Sequence, residues 1–404
     1  MQTNKTQWPV VLVLIVLALG VLFLLPLALI VGVGSLIGLF TGINTVGEMI
    51  AAFAFGFDAM LLIACVWFVY QKAAGREQAD LPLSFPFAWW QVLAGVGVVF
   101  FSVLAGGVAA ATGIAWLGWM ILPILTLFVI LTPIWIVFGI GSNGLDAGPR
   151  WQFFAILGLS MTVAPVLMIV LELITLVALV VGGIVLLVSS QPGLVMEFSN
   201  SMQRLLEQPG NQELILQVLT PYIANPVVIA TGIGYIAIIV PLIEELLKPL
   251  AVWLFAGQLT SPMQGFVLGM LSGAAFSVFE SLNASADGST AWVVIVSARA
   301  GTGILHMLTS GLVGWGIASA FTEKRIGRLI ACYLTAVLLH GVWNAAAGGL
   351  GVVGLGPTIG RPEWTFAYAP ALFCGLIVMG IGMFAALVAS NRKLKKAAAP
   401  PPAE

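Results

Sequence analysis

Glu244, Glu245, Glu280, His306 and His340 are the residues of this chain whose types and spacing suit chemistry best, and its two histidines are both among them. All stand inside long apolar runs. A charged group at mid-bilayer costs roughly 2.5–3.5 kcal/mol, so each is a functional candidate by default. Lys248, Arg299 and Asn344 accompany them in the same C-terminal half. Neutral imidazole and carboxylate suit Zn²⁺, and a catalytic zinc keeps one position open for water. A further carboxylate can serve as general base, and an amide can hydrogen-bond a developing oxyanion. Such a set describes a hydrolase that attacks a carbonyl. Ser310 and Thr309 lie near His306, but no GxSxG context frames them as nucleophiles.

Spacing supports convergence. Arg299, Thr302, His306, Thr309 and Ser310 follow three- and four-residue steps and form one polar helical stripe. His340 and Asn344 are one turn apart. Gly265, Gly269, Gly273 and Ser277 form a small-residue seam that permits close helix contact, with Glu280 near the same face. Glu244 and Lys248 have the i,i+4 spacing of a favourable ion pair. At about 1.5 Å per residue from the cytoplasmic helix ends, Glu244 lies about 18 Å deep, Glu280 about 24 Å, His306 about 20 Å and His340 about 18 Å. Four helices of alternating direction thus bring these groups to a similar level.

The elements that position them are set by composition. Of 404 residues, 60% are hydrophobic and 8% charged, against roughly 25% charged in soluble domains. The fold class is all-α, a polytopic transmembrane helix bundle. Runs near 9–33, 46–70, 88–112, 115–141, 152–189, 226–256, 264–284, 292–319, 328–349 and 365–390 give about ten spans. The first is too long for a signal-peptide core and reads as a retained span kinked near Pro26. The fifth and sixth are overlong, and Pro165 and Pro241 are candidates to kink or divide them. The formal net charge of -1 says little, since lipid hides most of the surface, and no basic patch suits a nucleic-acid partner.

Lysine and arginine accumulate on the cytoplasmic side. The cluster Arg392, Lys393, Lys395 and Lys396 therefore places the C-terminus inside a plasma (inner) membrane. Counting back puts Lys324, Arg325, Arg328, Arg150, Lys72, Arg76 and Lys5 on the same side. The hydrophilic stretch 191–225, with Glu197, Arg204, Glu207 and Glu213, falls outside. Met202, Leu205 and Leu206, then Leu214, Ile215 and Val218, are spaced there for an amphipathic helix face. The terminal AAAPPPAE reads as a disordered tail. Cys65, Cys332 and Cys374 are isolated and read as packing residues. Asp58 and Glu172 read as polar packing or gating residues, Glu48 as interfacial, and Trp89–Trp90 as an interfacial anchor.

Taken in order, Glu244-Glu245-x-x-Lys248, Phe276-x-x-x-Glu280, Arg299 with His306, and His340-x-x-Trp343-Asn344 resemble the PrsW family of intramembrane proteases. That family is similar to the CAAX prenyl protease and bacteriocin-processing clan, whose motifs include a glutamate pair, FxxxH and HxxxN. Glu280 stands where the wider clan has histidine. The resemblance covers about residues 226–349. It implies an intramembrane endopeptidase acting on membrane-bound protein substrates within the lipid bilayer. Glu244 and Glu245 would activate water, Asn344 would hold the oxyanion, and Glu280, His306 and His340 would be metal ligands, zinc above all, or water-orienting groups without a metal. Lys248 and Arg299 would be structural or substrate-binding.

On this reading the chain divides into an N-terminal transmembrane region (1–190), an extracytoplasmic loop (191–225), a protease core (226–349), a loop and last span (350–390) and a cytoplasmic tail (391–404). Two other classes use the same polar residues: a non-catalytic membrane scaffold, and an ion or proton transporter, for which no internal repeat is detectable.

Overall fold

A computed structural model describes residues 8–76, 88–190, 192–208, 211–286 and 288–398. Lys5 and the tail beyond Ala398 lie outside the described residues. In hydrocarbon every backbone N–H and C=O must be satisfied within the segment, so apolar runs of this length become helices. No strand occurs among the described residues. Among the described residues, ten helices are long and apolar enough to cross a membrane, as the sequence runs indicate. In chain order the first are α1 (Trp8–Phe40), α2 (Val46–Ala73), α3 (Trp89–Ala111), α4 (Ala115–Ser142) and α5 (Arg150–Ser190). Then come α6 (Pro192–Glu207), α7 (Gln212–Ile223), α8 (Pro226–Gly234), α9 (Val240–Leu247) and α10 (Leu250–Leu254). The last four are α11 (Pro262–Ala284), α12 (Trp292–Thr322), α13 (Ile326–Gly354) and α14 (Glu363–Ala398).

Two prolines act differently. Pro165 lies inside α5, which runs on as one helix. Pro241 instead follows a π-helical turn, Tyr235–Ile239, that joins α8 to α9. There the Val240 N–H bonds the Tyr235 carbonyl. The next amide in that register belongs to Pro241 and has no hydrogen, which leaves the Ile236 carbonyl for another donor.

The chain forms two compact units. One comprises Met1–Val166, Glu245–Ala336 and Gly380–Glu404; the other comprises Leu167–Glu244 and Val337–Met379. The centre of the first is α11 against α12, whose apolar windows are 89% and 72% buried, against 17% for α3. The glycine seam explains this. A Cβ on Gly273 would collide with the His306 carbonyl, one on Gly269 with the Ser310 carbonyl, and one on Gly265 with Gly314 and Ala318. Backbones therefore touch along three turns, and no larger residue fits between them. Trp292 locks α12 to α4 by donating from Nε1 to Thr126 Oγ1 at 2.9 Å.

In the second unit, a Cβ on Gly341 would strike the Ala237 carbonyl, so α13 packs directly on the π turn. The Tyr235 hydroxyl donates to the Glu172 carbonyl at 2.6 Å, tying that turn to α5. The stretch 192–223 folds as two helices. Met202, Leu205, Leu214 and Ile215 are partly covered and Val218 is buried, but Leu206 is 78% exposed. Cys65 and Cys332 are buried as packing residues, whereas Cys374 is exposed. Glu48, Trp89 and Trp90 are exposed at helix starts.

Candidate active site

Five of the sequence-selected residues meet in the first unit. Helix α9 stops at Leu247, because Pro249 cannot donate a backbone hydrogen bond. Lys248 sits in the break. Its carbonyl accepts from Ser272 Oγ, and Ser160 Oγ donates in turn to Ser272 Oγ at 2.7 Å. The Lys248 side chain is fully buried. Its ammonium donates to Glu245 Oε1 at 2.8 Å and to His306 Nδ1 at 2.8 Å. Because helix geometry ends one residue earlier, this ion pair is i,i+3 to Glu245, where spacing alone suggested i,i+4 to Glu244.

The bond to Nδ1 fixes the imidazole. An ammonium has donors only, so Nδ1 accepts and the ring hydrogen resides on Nε2. Nε2 lies 3.0 Å from Glu280 Oε2 and donates to it. The other oxygen of Glu280 accepts from Arg299 Nη1 at 2.8 Å. Phe276 stands edge-on to His306, with centroids 5.1 Å apart, and Lys248 Nζ lies 5.0 Å from the centre of the same ring. Glu245, Lys248, His306, Glu280 and Arg299 thus form one unbroken chain. Two carboxylates and two cations balance around a neutral imidazole, which lowers the cost of burying them. Arg299 is the clamp on Glu280.

The second unit holds Glu244, His340 and Asn344. Glu244 and His340 are buried, and Glu244 Oε2 lies 3.8 Å from His340 Nε2. That is longer than a hydrogen bond. It approaches the ~3.4 Å separation of two ligands on a tetrahedral zinc with bonds of about 2.0–2.1 Å. Asn344 Nδ2 donates to the Ile236 carbonyl at 2.9 Å, the acceptor that the π turn and Pro241 release. The amide retains a second N–H.

Glu244 and Glu245 therefore serve different groups, one in each unit, though a single peptide bond joins them. Spacing did not disclose the supporting serines Ser160 and Ser272, nor Phe276 as the ring between Lys248 and His306. Asp58, read as a polar packing or gating residue, is fully buried on α2 and accepts a long 3.4 Å bond from Asn283 Nδ2.

Comparison with known proteins adds one finding. A family model described as PrsW family intramembrane metalloprotease matches residues 148–379. The match is wider than the motif region, since it takes in α5 to α7 and the first part of α14, and it contains every residue of both groups. No curated protein and no solved structure matches the chain.

Proposed function

The chain belongs to the PrsW family of intramembrane metalloproteases, and from that premise we propose that it hydrolyses peptide bonds of membrane-bound protein substrates through Glu244 and His340. It is an integral membrane protease, with ten helices among the described residues apolar and long enough to cross a membrane. The observation that carries the residue assignment is the buried Glu244–His340 pair, spaced as co-ligands rather than as a hydrogen bond.

Glu244 and His340 are buried donors of the kind that could hold a metal ion. A carboxylate beside an imidazole suits zinc, the ion we propose. Such an ion would polarise the scissile carbonyl and acidify a water. The expectation that Glu280 is a ligand gives way to Glu244 in this proposal, because both Glu280 oxygens already serve His306 and Arg299. His306 spends Nδ1 on Lys248 and Nε2 on Glu280, so both of its ring nitrogens are engaged within the first unit.

The remaining roles follow from contacts. Glu244 offers a second oxygen to take the proton of the attacking water and return it to the leaving amine. Asn344 holds the π turn with one N–H and offers the other to the developing oxyanion. Glu245 acts through Lys248, and Glu280 through His306, as positioning residues. We further place both termini on the cytoplasmic face of a plasma (inner) membrane, since α14 ends on Lys395 and Lys396.

The test reconstitutes the full-length protein with a tethered transmembrane substrate. Glu244→Gln, His306→Ala and His340→Ala should each slow cleavage by about 10²–10⁴-fold, and His340→Ala should also lower bound zinc measured by elemental analysis. Wild-type cleavage by all three variants would overturn the assignment. Proteolysis with undiminished zinc in His340→Ala would remove the ligand set alone.

A further inference from the structure

At the end of the first unit that bears the C-terminal basic cluster lies a cavity of about 410 Å³. Its walls include Phe266, Leu312, Trp315 and Leu394, and its rim includes Arg328 and Lys393. Beside it runs a groove of about 660 Å³ lined by Phe384, Ala385, Val388, Arg392, Lys393 and Lys396. Lys393 belongs to both. None of these residues takes part in the Glu/His chemistry.

The basic end is built into the fold. Asn391 is buried and donates from Nδ2 to the Gly141 carbonyl at 2.8 Å and the Asn143 carbonyl at 3.0 Å, fixing the end of α14 to the end of α4. The Arg328 guanidinium lies 4.6 Å from the Trp315 ring centre. It also bonds Glu323 at 2.6 Å and Ser319 Oγ at 2.9 Å. The one acid lining the cavity, Glu323, is therefore already matched. Arg392, Lys393 and Lys396 have no ion pair among the described residues. The N-terminus of α11, capped by Ser261, opens on the same cavity and adds the positive end of a helix dipole.

Going away from this end, the groove becomes apolar along α14, through Val388, Ala385 and Phe384, and Ile381 beyond is 66% exposed. A basic mouth that continues into a lipid-facing apolar channel matches a molecule with an anionic head and a hydrocarbon tail. We propose that this site binds an anionic phospholipid of the adjoining leaflet, its phosphate held by Arg392, Lys393 and Lys396 and an acyl chain laid along α14. A soluble anion would leave the apolar channel unused, and a zwitterionic lipid would not answer the unmatched positive charge.

The test is native mass spectrometry of the full-length protein from neutral detergent, titrated with phosphatidylglycerol, phosphatidylcholine or inorganic phosphate. The expected result is preferential retention of phosphatidylglycerol. Arg392→Gln/Lys393→Gln/Lys396→Gln should weaken it by roughly fivefold per residue, about a hundredfold together. Arg392→Lys/Lys393→Arg/Lys396→Arg should keep it, which separates charge from helix integrity. Equal retention of phosphatidylcholine, unchanged retention by the Gln variant, or displacement by inorganic phosphate at equal concentration would each overturn the proposal.

Discussion

Lys248→Met is the sharpest probe of the relay, because it separates burial energetics from catalysis. Wild-type Lys248 is fully buried and gives 2.8 Å bonds to Glu245 and to His306 Nδ1. Methionine fills much of the same volume without a donor. Glu245, itself fully buried, then holds an uncompensated carboxylate, and breaking such a pair costs about 3–5 kcal/mol. Against a total stability of about 5–15 kcal/mol, that loss is large. Replacing both members by apolar residues is often neutral, so Glu245→Leu/Lys248→Met should regain most of the thermal stability. It should not regain activity, because His306 still lacks the donor that fixes its tautomer. Loss of such an orienting contact typically costs about 10–100-fold. The assay pairs thermal unfolding in detergent with cleavage of a tethered membrane substrate. If the double variant recovers both stability and cleavage, Lys248 is only a counter-ion and the orienting role is refuted. If Lys248→Met unfolds at the wild-type temperature, the burial argument fails as well.

Other contacts give further expectations. Gly273→Ala puts a methyl against the His306 carbonyl; overpacking of this kind costs about 1–3 kcal/mol and should lower both melting temperature and cleavage. Gly301→Ala on α12, the helix that carries His306, meets nothing within 4 Å and should leave both unchanged. Asn344→Ala strands the Ile236 carbonyl, at about 1–3 kcal/mol, so its unfolding midpoint should fall together with activity. Asn344→Asp, which cannot donate, should do no better. Arg299→Gln removes a 2.8 Å pair whose partners are 33% and 30% exposed. The stability change should stay near 1 kcal/mol or below, and Arg299→Lys should restore the cleavage rate.

Much of the fold was legible because lipid leaves few choices. Apolar runs of span length can only be helices there, and all ten appear. The Gly265–Gly269–Gly273 seam was legible too, since three small residues at helical spacing leave a groove that only another backbone fills. So was the Arg299–His306 stripe, whose turn spacing brings both side chains to Glu280. Features that depend on backbone register were not legible. Pro241 suggested a kink or division, yet its effect is exerted through the π turn before it, and the resulting orphan carbonyl is visible only once Asn344 is seen to answer it. The exposure of Leu206 and Cys374 depends on which face finds a neighbour, and hydropathy alone carries no such information. Ser160 and Ser272 lie 112 residues apart, beyond any local pattern.

The adjacent glutamates show why a motif and a site are different things. Successive residues on a helix with 3.6 residues per turn point about 100° apart, so two neighbouring carboxylates cannot face one point without distorting the backbone. Each buried carboxylate must then have its own partner, or the cost of dehydrating it is uncompensated. Here Glu245 takes Lys248 and Glu244 takes the neighbourhood of His340. A break immediately after Leu247 lets Lys248 leave the helical path and reach His306 as well as Glu245. On the proposed assignment the pair comprises one structural charge and one reactive charge. The structural one lies within the balanced chain ending at Arg299, and the reactive one faces an imidazole at a distance suited to a shared ligand. The proline that follows Lys248 belongs to the same logic, because without the helix break the ammonium would be held in helical register and the histidine would lose the group that orients it.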